Sequence, residues 1–335
     1  EGHTLPPGQS HAEIVALQAA GRLAQGASLY VTLEPCCVHG RTPPCTQAIV
    51  SAGISEVHAA TRDPNPRVND KGLAELESAG ILVHSGEEEA EANQLYEAFS
   101  KHINTGMPYV TAKFAMSLDG KIATHTGDSK WVTGDAARSH VQEMRRASDA
   151  VMVGVNTVLL DNPQLTARDG DGSPLARQPL RVVLDSSART PASARLLREP
   201  GQTVIAVTVA PNDRVRGLEE AGAEILRLPA TREGLVDPCA LLETLGALGV
   251  VSILVEGGGT LLGSLFDQGL LDKVAVFVAP VLIGGRSAPS PVGGNGVTVM
   301  AQAARLDSAR MERIGEDMLV VGYPRPPRSD SPGGP

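Results

Sequence analysis

Aromatic residues are scarce in this sequence, at 3% of 335 residues, with a single Trp and four Phe. The buried interior must therefore be built mainly from aliphatic side chains and alanine. The chain also lacks any run of about 18 apolar residues, the length that a membrane-spanning helix needs, so we expect no membrane partner. No basic segment followed by an apolar run is visible, so we predict no secretory signal and a cytoplasmic protein.

Cysteine is equally rare, and its distribution is uneven. The four residues are Cys36, Cys37, Cys45 and Cys239, so three of them fall within ten positions. A disulfide framework would not be spread over the chain in this way. Thiols clustered near a histidine motif indicate metal ligands in a reducing compartment. The alternative is an accidental cluster of small buried residues.

Basic residues are outnumbered by acidic ones, 29 against 38, and the net charge is −9. The imbalance is concentrated in residues 1–105, which hold 6 Lys and Arg but 13 Asp and Glu. Affinity for nucleic acid comes mostly from neutralising phosphates, so an acidic first half argues against a nucleic-acid partner. We expect a small-molecule substrate instead.

Helical and strand patterns alternate along the chain, which predicts an α/β fold with a parallel or mixed sheet covered on its faces. A helix over 11–25 should be capped by Ser10, with a buried strand following it. We place one domain at 1–105 and a second at 108–323, with a disordered Pro/Gly/Ser-rich tail at 324–335. The chain begins without Met, and we expect further residues upstream.

His11, Cys36 and Cys45 are the candidate ligands of a zinc ion. Two thiolates and one imidazole leave the fourth position of a tetrahedral site open for water, as in catalytic sites. Glu13, two residues after the histidine, is then the natural group to carry a proton from water to a ring nitrogen and to departing ammonia. This pattern predicts a deaminase acting on a nucleobase-like ring.

The spacing of these residues imposes a condition on the fold. Positions two apart on a regular helix diverge by about 200°, so His11 and Glu13 can reach one metal only at the start of a helix. Cys36 should lie in the turn after a strand, and Cys45 should precede a helix. A structural zinc site, with Cys37 or His39 as a fourth ligand, is the alternative.

Three segments together resemble the bifunctional deaminase–reductases of riboflavin biosynthesis: His11-Ala-Glu13, Thr32-Leu-Glu-Pro-Cys36 and Gly40-Arg-Thr-Pro-Pro-Cys45. Asp63-Pro-Asn-Pro66 matches that family as well. The resemblance implies a cytidine deaminase-like three-layer α/β/α domain that deaminates a phosphoribosylamino-pyrimidinone. It also implies that Arg41, Asp63 and Asn65 contact this substrate, although Arg41 could be a solvated loop charge and the other two could merely shape a turn.

The sequence departs from that family at three places. Val38 stands where the family usually has a histidine, and Asn69-Asp70 replaces a glycine-containing segment. The family also has strands upstream of the first motif, and this sequence starts after them. These departures motivate an alternative in which only the reductase is active and the first domain is a zinc-binding structural or dimerisation module. A non-catalytic zinc scaffold is the rival from another class.

The second half contains a glycine run, Gly257-Gly258-Gly259, between a predicted strand and a predicted helix. Backbone N–H groups at such a junction can approach an anion such as a dinucleotide diphosphate, with Thr260 and Ser264 as further donors. The spacing differs from the Rossmann fingerprint. The alternative is that the glycines only allow close helix–strand packing.

The second half also resembles the riboflavin reductase domain, which implies a dihydrofolate reductase-like α/β fold, NADPH as cofactor and a homodimer formed through this domain. The resemblance implies two sets of binding residues. The cofactor set is Ala115, Trp131, Thr133, Asp161, Ser186, Gly257, Gly258, Gly259, Thr260 and Ser264. The substrate set is Lys113, Ser129, Arg145, Leu165, Arg168 and Glu256. Arg145 and Arg168 offer planar donors to the substrate phosphate, although Arg145 could also be a solvated surface residue.

Overall fold

The computed structural model describes residues 1–130 and 132–325. The chain divides into two compact units, Glu1–Gly106 and Met107–Pro335, next to the predicted boundary. Trp131 and most of the tail predicted at 324–335 lie outside the described residues. The last described strand continues to Arg325, so Pro324 and Arg325 are ordered strand residues rather than part of a disordered tail. Within the described residues no helix is long and apolar enough to cross a membrane.

The first unit contains a parallel sheet of three strands in the order β1-β2-β3, within the described residues. In this register Tyr30 pairs with His58, and His58 with His84. Its elements are α1 (Ala12–Ala20), β1 (Ser28–Val31), α2 (Cys45–Ser51), β2 (Glu56–Ala59), α3 (Lys71–Ser78), β3 (Leu82–Ser85) and α4 (Glu89–Thr105).

Alternation along these strands gives the sheet one apolar face and one polar face. Leu29 and Val57 point into a core that also contains Ile49 of α2 and Leu76 of α3, all at most 9% exposed. The opposite face carries the Tyr30–His58–His84 row. The apolar face therefore fixes the register and holds α2 and α3 against the sheet.

The start of α1 differs from the prediction that Ser10 caps it. His11 is the N-cap residue, with extended backbone (φ −75°, ψ 164°) and no capping bond from its side chain. The hydroxyl of Thr4 accepts a hydrogen bond from the N–H of Ala12 at 3.4 Å. A side chain eight residues earlier in the chain therefore binds one of the free N–H groups at the start of α1. The His11 side chain is thus available for other contacts.

The second unit is built around one large sheet with the strand order β11-β12-β10-β4-β9-β5-β6-β7-β8 in the part of the chain described. All neighbours pair in parallel except β12, which is antiparallel to β10 and to β11. Its strands are β4 (Tyr109–Ser117), β5 (Ala150–Gly154), β6 (Leu180–Leu184), β7 (Thr203–Val207), β8 (Glu224–Arg227), β9 (Ser252–Val255), β10 (Lys273–Ala279), β11 (Arg305–Ile314) and β12 (Asp317–Arg325). Its helices are α5 (Asp135–Ala147), α6 (Val155–Asp161), α7 (Asn212–Glu220), α8 (Pro238–Ala247) and α9 (Gly259–Asp267).

The central strands are buried on both faces, as expected for a mostly parallel sheet. One core includes Val255 together with Leu241 of α8 and Leu262 of α9. The other includes Val183 and Ile205 on the opposite face. The predicted α/β class is confirmed, with helices packed on both faces of the sheet in this unit.

The strand order creates a crevice at the carboxyl ends of β5 and β9. Helix α6 follows β5 and helix α9 follows β9. The chain leaves these two neighbouring strands towards opposite edges of the sheet, through α6 to β6 and through α9 to β10. In open α/β sheets ligands bind at such a topological switch point. The fold thereby selects the place where a cofactor site is expected.

Candidate active sites

Three side chains from the ends of different elements meet in the first unit. His11 caps α1, Cys45 is the first residue of α2, and Cys36 lies in the segment after β1. His11 Nδ1 is 3.5 Å from Cys36 Sγ and 3.3 Å from Cys45 Sγ, and the three ligand atoms lie within 4.8 Å of one another. The predicted zinc ligands are therefore brought together, each at an element end.

The pKa values of the two cysteine thiols are shifted in opposite directions. Hydrogen bonds from the side chain and the backbone N–H of Cys45, together with the neighbouring His11, lower the pKa of the Cys36 thiol to about 6. The pKa of Cys45 is raised, because its thiol donates to Cys36 and is buried near Glu13. A thiolate beside an imidazole is the donor chemistry that zinc prefers, and an incoming ion displaces the remaining thiol proton. These residues fit a three-ligand zinc site.

Glu13 and Thr42 complete the surroundings of this cluster. Glu13 is buried, at 9% exposed, and its side chain interacts with Cys45. It occupies the first turn of α1 while His11 lies just before the helix, which meets the geometric condition set by their spacing. The Thr42 hydroxyl lies 3.5 Å from His11 Nε2, so the ring presents Nδ1 to the sulfur atoms.

A cavity of about 330 Å³ adjoins the histidine. Its lining includes the loop before Cys45, through Thr42 and Pro43, and the side of α2 at Gln47. The neighbouring Arg41 is exposed. Space for a small ring thus lies directly beside the proposed metal ligands.

Asp63 and Asn65 are engaged by their own turn. Asp63 Oδ1 accepts a hydrogen bond from the Asn65 N–H at 2.8 Å, and Asn65 Oδ1 accepts one from the Arg67 N–H at 3.1 Å. Burial raises the pKa of the Asp63 carboxyl. Both residues therefore shape this turn, as the alternative interpretation predicted. The second carboxylate oxygen of Asp63 and the side-chain NH2 group of Asn65 are the atoms that a substrate would contact.

Glu34 is a buried residue that organises this region, and it was not among the predicted site residues. It is 2% exposed, and its carboxylate accepts hydrogen bonds from the N–H groups of Asp63, Asp70, Gly72 and Leu73 at 2.9 to 3.2 Å. A Cβ at Gly72 would lie 2.1 Å from the Pro35 carbonyl oxygen, so glycine is required there. Glu34 thus ties the turn after β2 and the start of α3 to the segment that carries Cys36.

Replacing Glu34 with glutamine should loosen this connection. The amide offers one acceptor oxygen in place of two, so N–H groups that are now bonded lose a partner, at a cost of about 1–3 kcal/mol. We expect amide exchange of residues 63–73 to accelerate by about tenfold or more, measured by hydrogen-exchange mass spectrometry. Glu77→Gln, at an exposed position on α3, is the matched control. Equal protection in both variants would show that Glu34 does not hold this segment.

A buried ion cluster lies in the second unit. Arg145 donates to Glu256 from Nε at 2.5 Å and from Nη2 at 3.0 Å, and from Nη1 to the Thr166 carbonyl at 3.1 Å. Lys113 Nζ lies 3.9 Å from the same carboxylate. Every guanidinium nitrogen of Arg145 therefore has a partner inside the unit, which argues against the surface position considered for it. These bonds use three of the five guanidinium N–H donors, so two remain for a phosphate.

The pKa values in this cluster follow from burial and opposing charges. Burial raises the pKa of Glu256, whereas the positive charges of Arg145 and Lys113 lower it. The net shift of this pKa is downward. The pKa of Lys113 is lowered by burial, which Glu256 only partly offsets. Glu256 therefore remains a carboxylate that neutralises two buried cations.

The other predicted substrate residues lie in neighbouring loops. The Ser129 hydroxyl donates to Asp161 at 3.0 Å, which places one predicted substrate residue against one predicted cofactor residue. Arg168 donates to Thr166 Oγ1, the Gly172 carbonyl and Glu199. Leu165 is buried, with the left-handed φ of 55°.

A cavity of about 300 Å³ opens at the crevice between β5 and β9. Four of the predicted cofactor residues line it: Ser186, Gly258, Thr260 and Ser264. Gly258 is the N-cap of α9, with extended backbone and no side-chain cap, so the first N–H groups of this helix remain available to an anion. Arg189 also lines the cavity and was missed, although it follows Ser186 by only three positions.

Gly257 and Gly259 have mainly a packing role. A Cβ at Gly259 would lie 2.7 Å from the Ser290 carbonyl oxygen, and one at Gly257 would lie 2.8 Å from Leu261. The packing role considered for the glycine run therefore applies to Gly257 and Gly259, while Gly258 lines the cavity. Ala115, Thr133 and Asp161 are not among the residues that line this cavity, and Trp131 lies outside the described residues.

Comparison with known families separates the two units in the same way. Residues 2–61 match the model of the cytidine and deoxycytidylate deaminase zinc-binding region, and residues 108–320 match the model of the RibD C-terminal domain. The matched zinc-binding region and the reductase fold imply a zinc ion and a nicotinamide cofactor.

Full-length relatives extend this match over nearly the whole chain. The riboflavin biosynthesis protein RibD of Actinobacillus pleuropneumoniae is 41% identical over 322 residues, which covers 96% of this chain and 84% of the relative. The RibD of Escherichia coli K12 is 39% identical over 329 residues, covering 96% and 88%.

Solved structures agree with these relatives. Acinetobacter baumannii RibD matches with a TM-score of 0.82 and 38% identity, covering 95% of this chain and 86% of that one. A Thermotoga maritima diaminohydroxyphosphoribosylaminopyrimidine deaminase/5-amino-6-(5-phosphoribosylamino)uracil reductase matches at 0.79 and 33%, with the same coverage. The riboflavin biosynthesis reductase Rib7 of Saccharomyces cerevisiae, at 0.54 and 18%, covers 70% of this chain and all of that one, and shares the fold. This chain belongs to the RibD family of riboflavin biosynthesis proteins, and it joins a cytidine deaminase-like zinc-binding region to a RibD C-terminal reductase domain.

Proposed function

We propose that this chain deaminates 2,5-diamino-6-(5-phosphoribosylamino)pyrimidin-4-one and then reduces the ribosyl group of the product to a ribityl group, with NADPH as the reductant. The observation that carries the proposal is the convergence of His11, Cys36 and Cys45 beside the buried Glu13. A purely structural first domain, the alternative weighed above, has no use for a buried carboxylate at this position. We further propose that the enzyme acts in the cytoplasm as a homodimer formed through the reductase domain, which light scattering of the purified chain would test.

In the deaminase, His11, Cys36 and Cys45 would hold the zinc ion, which supplies Lewis-acid activation of water when bound. Glu13 takes the proton of the attacking water and passes it to the ring nitrogen and the departing ammonia. The cavity beside His11 receives the pyrimidine ring. We assign substrate contacts to Arg41, Asp63 and Asn65, with the Asp63–Asn65 turn held in place by Glu34.

In the reductase, the nicotinamide cofactor supplies a hydride when bound. Opening of the ribose to an imine, followed by hydride addition at its first carbon, gives the ribityl product. The N-terminus of α9 and the hydroxyls of Ser186, Thr260 and Ser264 would hold the diphosphate and ribose of the cofactor. For Ala115, Thr133 and Asp161, which do not line that cavity, we propose contacts nearer the nicotinamide, and for Trp131 we propose a contact with the cofactor.

The substrate side of the reductase would be lined by Lys113, Ser129, Arg145, Leu165, Arg168 and Glu256, with the phosphate bound by Arg145 and Arg168. Arg145 holds Glu256 by two hydrogen bonds and so positions this wall of the site. The Ser129–Asp161 hydrogen bond links the substrate side to the cofactor side.

The direct test is to incubate the full chain with the diaminopyrimidinone, with and without NADPH. Ammonia should be released at the same rate in both reactions, because the deaminase step needs no reductant. NADPH should be oxidised only after ammonia has appeared. Pretreatment with a chelator should abolish ammonia release but spare NADPH oxidation with the deaminated intermediate. NADPH oxidation that precedes ammonia release would overturn the proposed order.

Arg189 supports NADPH rather than NADH, because it places a guanidinium beside Ser186 and Ser187 in the cofactor cavity. A planar guanidinium is suited to binding the extra phosphate on the adenosine ribose of NADPH. Arg189→Ala should raise KM for NADPH by about ten- to a hundredfold, the value of one or two charge-assisted hydrogen bonds, and leave kcat nearly unchanged. KM for NADH should not change. Arg198→Ala, at an exposed arginine outside the cavity lining, is the control. An equal loss with both cofactors would contradict this role.

A further inference from the structure

A second cluster of potential metal ligands lies on the polar face of the three-stranded sheet. Glu56 and His58 are two residues apart on β2, so their side chains share a face, and His84 occupies the matching position on β3. One ligand atom from each of these residues lies within 4.8 Å of the other two. The apolar face of the same sheet is the one that packs against α2 and α3.

The parallel register arranges three rings in a stack across this face. The ring centroids of Tyr30 and His58 are 4.4 Å apart with an interplanar angle of 13°, and those of His58 and His84 are 4.5 Å apart at 18°. The stack places both Nε2 atoms on the side of Glu56. Because the in-plane lone pairs of stacked rings are parallel, the ring of His84, which is 42% exposed, must turn for both Nε2 atoms to reach one ion.

Glu56 is the carboxylate that both imidazoles face. Its Oε1 lies 2.9 Å from His84 Nε2 and 3.4 Å from His58 Nε2, while its Oε2 accepts a hydrogen bond from Ser28 at 2.8 Å. Two ligands bound at about 2.1 Å to one tetrahedral ion lie roughly 3.3 Å apart. The spacing between Glu56 and the two imidazoles is therefore that of neighbouring ligands around one ion.

His58 is not accounted for by hydrogen bonding. Its Nδ1 is buried and has no hydrogen-bond partner in the described part of the chain. The carboxylate oxygen of Glu87 lies 3.4 Å from that atom, near enough for charge attraction but outside hydrogen-bond geometry. Its side chain is only 14% exposed. When the Nε2 atom of His58 binds an ion, the ring proton lies on Nδ1, and the Glu87 carboxylate is near enough to attract that proton, as carboxylates beside metal-binding histidines do.

We propose that Glu56, His58 and His84 form a second metal site, specific for a divalent transition-metal ion and distinct from the thiolate site at His11. Two imidazoles and one carboxylate suit Zn²⁺, Ni²⁺ or Co²⁺, and the donor set is that of known two-histidine, one-glutamate zinc sites. The ion joins β2 to β3 across the sheet. Because it binds only the folded sheet, it stabilises the first unit.

Nickel binding to the zinc-loaded full chain tests this site. The protein is first saturated with zinc and freed of excess by gel filtration, and Ni²⁺ is then added in equilibrium dialysis, with both metals measured by mass spectrometry. The wild type should take up one nickel ion per chain and keep its zinc. His84→Ala and Glu56→Gln should each weaken nickel binding at least tenfold without changing zinc content. The His84 side chain is 42% exposed, so truncating it removes little buried contact.

His125→Ala is the matched control, because it removes an exposed histidine from the other unit and should leave nickel uptake unchanged. Circular dichroism of each variant establishes that it folds, and Glu56→Gln, which keeps the side-chain shape, covers the case in which His84→Ala does not. The proposal would be overturned if the wild type took up no nickel, because the three residues would then form only a hydrogen-bonded stack of rings. It would also be overturned if nickel uptake survived in both His84→Ala and Glu56→Gln.

Discussion

Replacing Glu13 with glutamine should lower the rate of ammonia release by about a thousandfold, within the range of 10² to 10⁴ that a positioned acid–base group contributes. Glutamine has nearly the same shape but cannot accept and return a proton. Glu13 is buried beside Cys45 in the first turn of α1, so its carboxylate lies next to the proposed metal ligands. Ammonia release from the diaminopyrimidinone, measured under single-turnover conditions, gives the rate.

Two readouts separate lost chemistry from lost structure in this variant. Zinc content should stay at the wild-type level, because none of the three ligand atoms changes. Reduction of the deaminated intermediate by NADPH should proceed at the normal rate, because the reductase residues lie in the other unit. Glu77→Gln on α3 serves as the control carboxylate. A Glu13→Gln enzyme that releases ammonia within a few fold of the wild-type rate would refute the proton-transfer role.

Replacing Glu256 with glutamine should lower the free energy of unfolding of the reductase unit by about 3–5 kcal/mol, the typical cost of breaking a buried ion pair. The side chain of Glu256 is 9% exposed and that of Arg145 is 14% exposed, so solvent does little to compensate the two cations that remain. Reduction of the intermediate should fall as well, because Lys113 and Arg145 lose the group that orders them. Urea unfolding followed by the fluorescence of Trp131, the single tryptophan, measures the change.

The stability difference at Glu256 should depend on pH in a defined direction. Arg145 and Lys113 hold the pKa of Glu256 below its usual value, so its contribution is fully present above the unfolded pKa, near 4.3. The contribution is lost as pH falls through the lower, folded-state pKa. The wild type and Glu256→Gln should therefore differ at neutral pH and converge in acid. Glu143→Gln, at a side chain 74% exposed on α5, should match the wild type throughout. A constant difference across the range would contradict the ion-pair explanation.

The zinc ligands were predictable because thiols and imidazoles are scarce and their chemistry is distinctive. His11, Cys36 and Cys45 stood out by residue type and by their positions at predicted element ends. Glu34 did not, because a carboxylate that binds backbone N–H groups leaves no spacing pattern, and its partners lie some 30 positions further along. Its place directly before Pro35-Cys36 was the only available signal.

The fold was predictable where the hydrophobic pattern is strong. The buried strands of the central sheet follow from their apolar runs, whereas β11 is exposed at most of its positions and shows no such run. Helix α7 has only two buried residues, Val215 and Leu218, so its hydrophobic pattern is equally weak. The prediction that Ser10 caps α1 was wrong, because the Thr4 hydroxyl accepts the hydrogen bond from the Ala12 N–H instead. Arg189 was missed because a single arginine in a loop has no pattern until the crevice is seen.

The position of β4 in the large sheet governs the order in which the second unit can fold. Strands β5, β6 and β7 each pair with the next strand along the chain, so the four strands β5 to β8 can associate early. Tyr109, by contrast, pairs with Ser252, and Thr111 pairs with Lys273. The first strand of this unit thus has no partner until the ribosome has delivered β9 and β10. Contacts between such distant segments close slowly, so we expect β4 to be the last central strand to gain protection during refolding.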